Sequence, residues 1–148
     1  MKKILSLVLA LCLICLSVSA LAEIPSSVED LPAAVTDVEI EDFFGVWQAG
    51  YAVYDDEMAT LEDVAPMFGG FLPVVAIDEE KITATFGEDG NETVESYEYV
   101  YDEEYAEILI FNETEDVILD IQIVETGALK VLFIDAMVEL YMLKVEEG

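Results

Sequence analysis

Apolar and polar residues alternate with a period of two along most of this chain, from about residue 44 to residue 146. Because successive side chains of a β-strand point to opposite faces, this period predicts strands that each bury one face. Short segments rich in Asp, Glu, Asn and Gly separate the runs, and connectors of that length make successive strands antiparallel neighbours. About eight strands are predicted, at residues 45–54, 73–78, 81–86, 93–101, 106–111, 117–124, 128–134 and 137–145.

One helical interruption is expected between the first and second strands. Thr60 opens the sequence Thr-Leu-Glu-Asp, which has the pattern of a helix start. Pro66 limits the first helical piece to about Ala65, and Gly69 and Gly70 supply a stop. The prediction is therefore an all-β fold with a short or broken helix. Strands in this number close as an up-and-down barrel or fold over as a sandwich, with the helix over one end of the barrel.

The first residues have the parts of an export signal. Lys2 and Lys3 precede an apolar run, and Ala20 and Ala22 form the A-x-A arrangement that a signal peptidase cuts. Residues 1–22 are therefore predicted to be a signal peptide, and the mature protein is expected to be secreted, with no membrane association after cleavage. The apolar run is also close to the roughly 20 residues of a membrane-spanning helix, so a retained anchor is the alternative.

The composition of the mature chain excludes most catalytic chemistry. Both cysteines, Cys12 and Cys15, fall in the predicted signal, and the rest of the chain contains no Cys, His or Arg. Thiol catalysis, His-assisted serine chemistry and zinc sites of the His/Cys type are thereby excluded. A pair of carboxylates acting as acid and base is the enzymatic alternative. We predict a protein that is not an enzyme, with no catalytic residue and no cofactor.

Charge narrows the range of partners. The chain has a formal charge of −28 and all 33 of its acidic residues follow the predicted signal. Such a charge repels polyanions, so no nucleic acid partner is expected. Acidic turns at 55–57, 88–92 and 112–116 offer the oxygen ligands that calcium takes. None has the alternating spacing of a defined calcium loop, and Asp89-Gly90 is typical of a hairpin turn, so no metal site is predicted.

The chain is expected to form one folded domain behind an extended segment. Residues 23–42 contain Pro25, Pro32 and two adjacent serines and sustain no period, which favours a flexible N-terminal arm. Residues 43–148 are dense in Val, Ile, Tyr and Phe, unlike disordered acidic chains. We therefore predict a single domain over 43–148.

The stretch FFGVWQ, Phe43 to Gln48, places a Gly-x-Trp at the start of the first predicted strand. Together with the strand count, Phe44-Gly45-Val46-Trp47 resembles the signature of the lipocalin (calycin) family, and residues 43–146 resemble a divergent bacterial lipocalin-like domain. The resemblance implies an eight-stranded antiparallel up-and-down barrel. In that family the glycine allows close approach at the barrel floor and the tryptophan closes the end beneath the ligand cavity.

The resemblance departs from the family pattern at several points. Lipocalins normally cover the tryptophan with an arginine from near the last strand, and this chain has no arginine. Lys144, in the last predicted strand, is expected to lie over Trp47 instead, with the cavity on the other side of the ring. The family's Thr-Asp-Tyr motif and disulfide have no counterpart. The domain is therefore expected to be a divergent relative.

The function implied by the resemblance is that of a secreted, non-catalytic binding protein for a small apolar ligand. The alternative is an extracellular protein-interaction module, such as a protease inhibitor or cell-surface partner. Strands with apolar residues on both faces, such as Ile108 with Leu109, also favour a protein partner or a homodimer.

Candidate binding residues are aromatic side chains in the alternating runs. In the first strand the alternation passes through Trp47, Ala49, Tyr51 and Val53, which predicts one shared face. Aromatic residues with polar tips suit a cavity wall, and equally suit core or surface packing. The predicted ligand-binding residues are Trp47, Tyr51, Phe86, Tyr97, Tyr99 and Tyr101.

Overall fold

The fold is taken from a computed structural model that describes residues 24–87 and 91–145. The predicted signal peptide and the Asp89-Gly90 turn lie outside the described residues. Among those described, none of the helices is long and apolar enough to cross a bilayer. The strands are β1 (Gly45–Tyr54), β2 (Glu57–Ala59), β3 (Val74–Ile77), β4 (Ile82–Phe86), β5 (Thr93–Tyr97), β6 (Val100–Asp102), β7 (Glu107–Phe111), β8 (Val117–Ile123), β9 (Leu129–Phe133) and β10 (Val138–Val145).

The helical elements are short, as predicted. Helix α1 (Leu61–Val64) continues directly into a 3₁₀ helix at Ala65–Phe68. The Thr60 hydroxyl accepts a hydrogen bond from the backbone N–H of Asp63 at 3.1 Å, which caps α1 at the expected place. Gly69 ends the 3₁₀ helix in the left-handed conformation, with φ of 79°. Two further 3₁₀ helices, Val28–Asp30 and Ile40–Phe43, precede β1.

All strands belong to one antiparallel sheet in the order β5-β4-β3-β1-β10-β9-β8-β7-β6, with β2 paired to β1. The first long strand, β1, pairs with the last, β10, from Val46 to Tyr54. The two outer strands, β5 and β6, are consecutive in the chain, with Glu98 and Tyr99 between them. Three peptide steps span at most about 11 Å, so the sheet curls until its two edges come close together. The all-β, barrel-like prediction is confirmed.

The predicted strand at 93–101 is split into two. Strand β5 pairs with β4 and β6 pairs with β7, so one nearly continuous segment serves both edges of the curled sheet. Strand β2 was not predicted, because three residues are too few to show a period. With these two differences, the predicted strands and their order agree with the structure.

A β-bulge interrupts β1 at Gly50, where the register with β10 shifts between Ala49 and Tyr51. Trp47 faces the main core, whereas Tyr51 and Val53 face outward. The single shared face predicted for these residues is wrong, because the extra residue of a bulge reverses the alternation that follows it. The outward side chains form a small second core of Tyr51, Val53, Val124, Ala128 and Tyr141.

The N-terminal segment, predicted as a flexible arm, contacts the outside of the barrel. The Val35 N–H donates to the carbonyl of Ile123, and the Glu125 N–H donates to the carbonyl of Ala33, each at 2.9 Å. Ala34 forms an antiparallel bridge with Val124 between these bonds. The segment is thereby attached along the end of β8.

The barrel has two distinguishable ends. Strands β1, β4 and β9 run in the same direction. Strand β3 lies antiparallel between β1 and β4, and β10 lies antiparallel between β1 and β9. We call the end at which they finish the upper end and the end at which they begin the lower end. The chain leaves β1 at the upper end to form β2, α1 and the 3₁₀ helix. The lower end carries Phe43 and Trp47.

Candidate functional site

Trp47 closes the lower end of the barrel. The residue is 2% exposed, and its Nε1–H donates to the carbonyl oxygen of Phe43 at 2.9 Å. Lys144 lies opposite Trp47 in the β1–β10 register, with its Nζ 5.6 Å from the ring centroid. The ring is therefore enclosed, its polar atom is paired, and a cation lies within cation–π distance. The predicted placement of Trp47 in the core beneath Lys144 is confirmed.

Gly45 makes this closure possible. Its φ of 136° is a conformation that other residues rarely adopt, and an added Cβ would lie 2.7 Å from Cε of Lys144. The glycine thus leaves room for the lysine stem to cross β1 and reach the ring. The Gly-x-Trp stretch has a local structural explanation that does not depend on a ligand.

The interior of the barrel contains a small apolar cavity of about 40 Å³. Strands β3 and β4 form one wall, and β8 and β9 form the opposite wall. The volume accommodates about one water-sized group, well below the roughly 150 Å³ in which a protein cavity has been found to hold benzene. The cavity is lined by Val75, Ile82, Ala84 and Phe86 on one side and by Leu119, Ile121, Val131 and Phe133 on the other, together with Pro73 and Tyr97.

Phe68, the last residue of the 3₁₀ helix, contacts one lining residue from each wall of the cavity, Phe86 and Phe133. Its ring centroid is 4.9 Å from that of Phe133 in an edge-to-face contact and 6.4 Å from that of Phe86. Gly69 and Gly70 follow with positive φ, and a Cβ added to either would meet nothing within 4 Å. The half-buried ring is therefore held by aromatic contacts on a short segment that opens directly to solvent.

An open groove of about 330 Å³ lies beside Phe68. It is lined by Met67, Phe68, Phe86, Thr93 and Glu95. Phe86 lines both the groove and the cavity and therefore lies between the two spaces, and the Phe68 ring packs against Phe86 on the groove side. The groove and the cavity together form the candidate site, with Phe86 between them and Phe68 packed against it.

Glu95 brings a carboxylate to the inner face of the sheet. It pairs with Ala84 across β4 and β5, and directly paired residues point to the same face. Its carboxylate accepts a hydrogen bond from the hydroxyl of Tyr97, two residues further along the same face. Burial, reinforced by this bond and by the Glu95 charge, raises the pKa of Tyr97 to about 12. The Tyr97 hydroxyl therefore remains a donor at neutral pH and orients the carboxylate at the border of the apolar cavity.

The predicted ligand-binding residues are dispersed over the molecule. Phe86 and Tyr97 line the cavity. Trp47 belongs to the closure of the lower end. Tyr51 lies outside the barrel, where its ring stacks on Tyr141 with centroids 4.6 Å apart and planes 9° apart.

The other two tyrosines of the predicted stripe fix loops. The Tyr99 hydroxyl donates to the carbonyl of Asp78 at 2.8 Å. The Tyr101 hydroxyl donates to the carbonyl of Val38 at 3.0 Å, and its ring packs edge-to-face on Phe43 at 5.8 Å. Both tyrosines contact the core from the inner face, and burial raises the pKa of each hydroxyl. Neither lines the cavity.

Sequence reasoning missed Phe68 and Glu95. A signal for Glu95 exists, because the alternation through Tyr99 and Tyr97 continues backward to Glu95 and Thr93 and places them on the inner face. No comparable signal exists for Phe68, whose position depends on how the connector between β2 and β3 folds over the barrel.

A pair of carboxyl groups lies on neighbouring strands away from the cavity. Burial raises the pKa of Glu107 to about 7, assisted by the hydrogen bond and charge of Asp120 and by the charge of Asp102. Burial also raises the pKa of Asp120, against the effects of Glu107 and Lys130. Oδ1 of Asp120 is buried without a hydrogen-bond partner. Burial of two carboxyl groups on paired strands thus raises the pKa of both.

Carboxylate side chains are common in the described part of the chain. No group of three or more His, Cys, Asp or Glu side chains there is arranged to hold an ion. In the acidic turn at 112–116, Oδ1 of Asn112 accepts hydrogen bonds from the N–H groups of Thr114 and Asp116, both at 3.0 Å. The oxygen of this side chain is thus used within its own turn.

Comparisons with family models, curated proteins and solved structures find no match to this chain. The structure itself establishes a curled antiparallel sheet of barrel-like form. The resemblance to lipocalins therefore rests on the Gly-x-Trp stretch and on the order of the strands.

Proposed function

We propose that this chain is a secreted, non-catalytic, lipocalin-like binding protein that takes up a small apolar molecule at the upper end of its barrel. The observation that carries the proposal is the apolar cavity, two of whose lining residues, Phe86 and Phe133, pack against Phe68. The export signal predicted at 1–22 supports secretion. The Gly-x-Trp stretch and the strand order support the lipocalin-like assignment.

Uptake requires the Phe68 ring to move. The cavity of about 40 Å³ is too small for a ligand, but the Phe68 ring packed against its lining residues is itself the size of benzene. When the ring swings out, its former space joins the cavity to the groove of about 330 Å³. An apolar ligand entering that space replaces the contacts Phe68 makes with Phe86 and Phe133, which offsets part of the cost of moving the ring.

Titration with the uncharged fluorescent dye N-phenyl-1-naphthylamine tests this mechanism. We expect saturable binding to the wild type and about tenfold tighter binding to Phe68→Ala, because the variant no longer has to displace a ring. Phe71→Ala is the matched control, since Phe71 follows on the same connector, is exposed and does not line the cavity. It should bind as the wild type does.

A second variant checks the location of the dye. Ala84 lines the cavity wall, so Ala84→Val narrows the space while suiting a β-strand. It should weaken dye binding in the Phe68→Ala background. Absence of saturable binding to both the wild type and Phe68→Ala would contradict the proposal.

A protein-binding role is the second candidate, favoured by exposed apolar residues on the outer face. Val74 and Val94 both pair with Thr85 in one cross-strand row and are 42% and 57% exposed. Strand β5 is an edge of the sheet, and unpaired edge groups are a template for another strand. If a second copy of the chain docks there, Val94→Lys should convert a dimer to a monomer in sedimentation velocity and leave dye binding unchanged.

A further inference from the structure

We propose that the ligand is a cationic amphiphile, whose protonated amine binds Glu95 while its apolar chain occupies the space closed by Phe68. This inference rests on the proposed uptake at the upper end and adds the chemical class of the ligand. It is carried by the position of Glu95 relative to the cavity and by the distribution of charge in the described part of the chain.

Glu95 lies where the amine of a ligand would be found if the apolar chain of that ligand occupied the cavity. The groove that contains Glu95 adjoins the cavity through Phe86, which lines both. Ala84, the cross-strand partner of Glu95, lines the cavity directly. A ligand whose chain points into the cavity therefore keeps its head group within the groove, on the same face of the sheet as this carboxylate.

The carboxylate is oriented for a ligand, and none of the lysines that the structure describes forms an ion pair with it. One oxygen of Glu95 accepts the Tyr97 hydroxyl, which fixes the direction of the group. Of the lysines in the described part of the chain, Lys130 pairs with Glu139 at 3.7 Å and Lys144 lies over Trp47 at the opposite end. Lys81 follows β3 at the lower end, beside Asp78.

This charge distribution selects among apolar ligands. A fatty carboxylate would bring a second negative charge against Glu95, in a protein of formal charge −28. An uncharged alcohol would gain no ionic contact. A protonated amine gains a charge-assisted hydrogen bond to the carboxylate, and the Phe68 and Phe86 rings at the groove add faces that attract cations.

A free metal ion fits the same position poorly. Calcium takes about six to eight oxygen ligands, whereas the groove offers the Glu95 carboxylate and the hydroxyl of Thr93 among mostly apolar side chains. One carboxylate beside an apolar wall is better suited to a ligand that carries a single positive charge on an apolar chain.

Three probes with the same eight-carbon chain separate the contributions: octylamine, 1-octanol and octanoate, each titrated by calorimetry at pH 7 and low ionic strength. We expect octylamine to bind about tenfold tighter than 1-octanol, and octanoate to bind most weakly. Glu95→Gln should reduce octylamine to the affinity of 1-octanol without changing the alcohol. Glu98→Gln removes the same charge from the link between β5 and β6 and should preserve the preference.

The outcomes distinguish the two proposals. Equal binding of octylamine and 1-octanol to the wild type would overturn this inference and leave the apolar binding function intact. Binding of none of the probes would overturn both. An equal loss of octylamine affinity in Glu95→Gln and Glu98→Gln would assign the attraction to overall charge and contradict a role for Glu95. Glu95→Asp keeps the charge and should retain a preference for the amine, provided its circular dichroism matches the wild type.

Discussion

Aromatic rings close the two ends of the barrel in different ways. At the lower end, Trp47 is almost fully buried, its polar atom is paired with the Phe43 carbonyl, and Lys144 crosses above it. At the upper end, Phe68 is half-buried and packs against Phe86 and Phe133 above a cavity. The first closure is a packed core and the second leaves space beneath it.

The difference follows from the elements that carry the two rings. Trp47 belongs to β1, which is paired with β3 on one side and β10 on the other, so the backbone fixes its position. Phe68 ends a four-residue 3₁₀ helix, and a left-handed glycine follows it. Segments with few backbone bonds to the rest of the structure open at lower free energy than central strands. We therefore expect the lower end to determine stability and the upper end to permit exchange with solvent.

The largest effect is expected for Trp47→Ala. Removing a large buried aromatic leaves a cavity, so the free energy of unfolding should fall by about 3 to 5 kcal/mol, as measured by urea denaturation followed by circular dichroism. Phe68→Ala, the corresponding truncation at the upper end, should cost about 1 to 2 kcal/mol because its ring is half-exposed. Equal costs at both ends would remove the distinction between them.

The same residue gives a direct optical test, because Trp47 is the sole tryptophan. A ring that is 2% exposed should emit well to the blue of indole in water and resist quenching by iodide. The emission should stay unchanged in Phe68→Ala, since the two rings lie at opposite ends. Water-like emission with unhindered quenching would contradict the packed lower end.

Sequence reasoning succeeded at the lower end for a physical reason. The period of two directly reports which strand side chains are buried, and Trp47 and Lys144 lie in long strands whose positions follow from that period. It failed at Tyr51, because the bulge at Gly50 changes the face without a clear mark in the hydrophobic pattern. An added Cβ at Gly50 would lie 3.1 Å from Cγ of Leu143, so the Leu143 side chain would have to shift by a few tenths of an ångström.

The upper end was less predictable because its site is assembled by tertiary contacts. The helix start at Thr60 and its stop at Gly69 were predicted, but no periodicity in a four-residue helix indicates what Phe68 will cover. The attachment of residues 33–35 to the end of β8 likewise depends on backbone bonds between distant segments. Such contacts leave no local pattern in one sequence.

Substitution of the glycine at each end should also reduce stability by different amounts, and this difference should be smaller than that between the aromatic truncations. Gly45→Ala forces a non-glycine residue to a φ of 136° and displaces the Lys144 stem, so we expect a loss of about 2 to 3 kcal/mol in the free energy of unfolding. Gly69→Ala adopts a φ of 79° in open space and should cost about 1 kcal/mol. Comparable urea midpoints for the two variants would show that contact with Lys144 contributes nothing.

Glu107, the first residue of β7, should make the stability of the protein depend on pH. Its folded pKa of about 7 lies above the ordinary value of 4.5. Between these two pH values Glu107 keeps its proton in the native state and loses it in the unfolded state. The stabilisation from this group is present below pH 4.5 and is lost as the pH rises through 7. At pH 8 the free energy of unfolding of Glu107→Gln should therefore exceed that of the wild type, by less than about 1 kcal/mol after screening by water. Thermal melting followed by circular dichroism measures the difference. Glu113→Gln, in the exposed turn after β7, is the control for overall charge and should show a smaller difference between pH 5 and pH 8.

The smallest effect concerns the cation over the tryptophan. Lys144→Met keeps most of the stem that covers the ring and removes the charge, so the free energy of unfolding should fall by less than about 1 kcal/mol. A double-mutant cycle with Trp47→Phe, read by circular dichroism in urea, isolates the coupling between the two side chains. We expect a coupling of about 0.5 kcal/mol, which comes from the charge over the face of the ring. A coupling near zero would mean that Lys144 covers Trp47 only through its aliphatic stem, which Met replaces, and that burial alone makes the lower end the stable one.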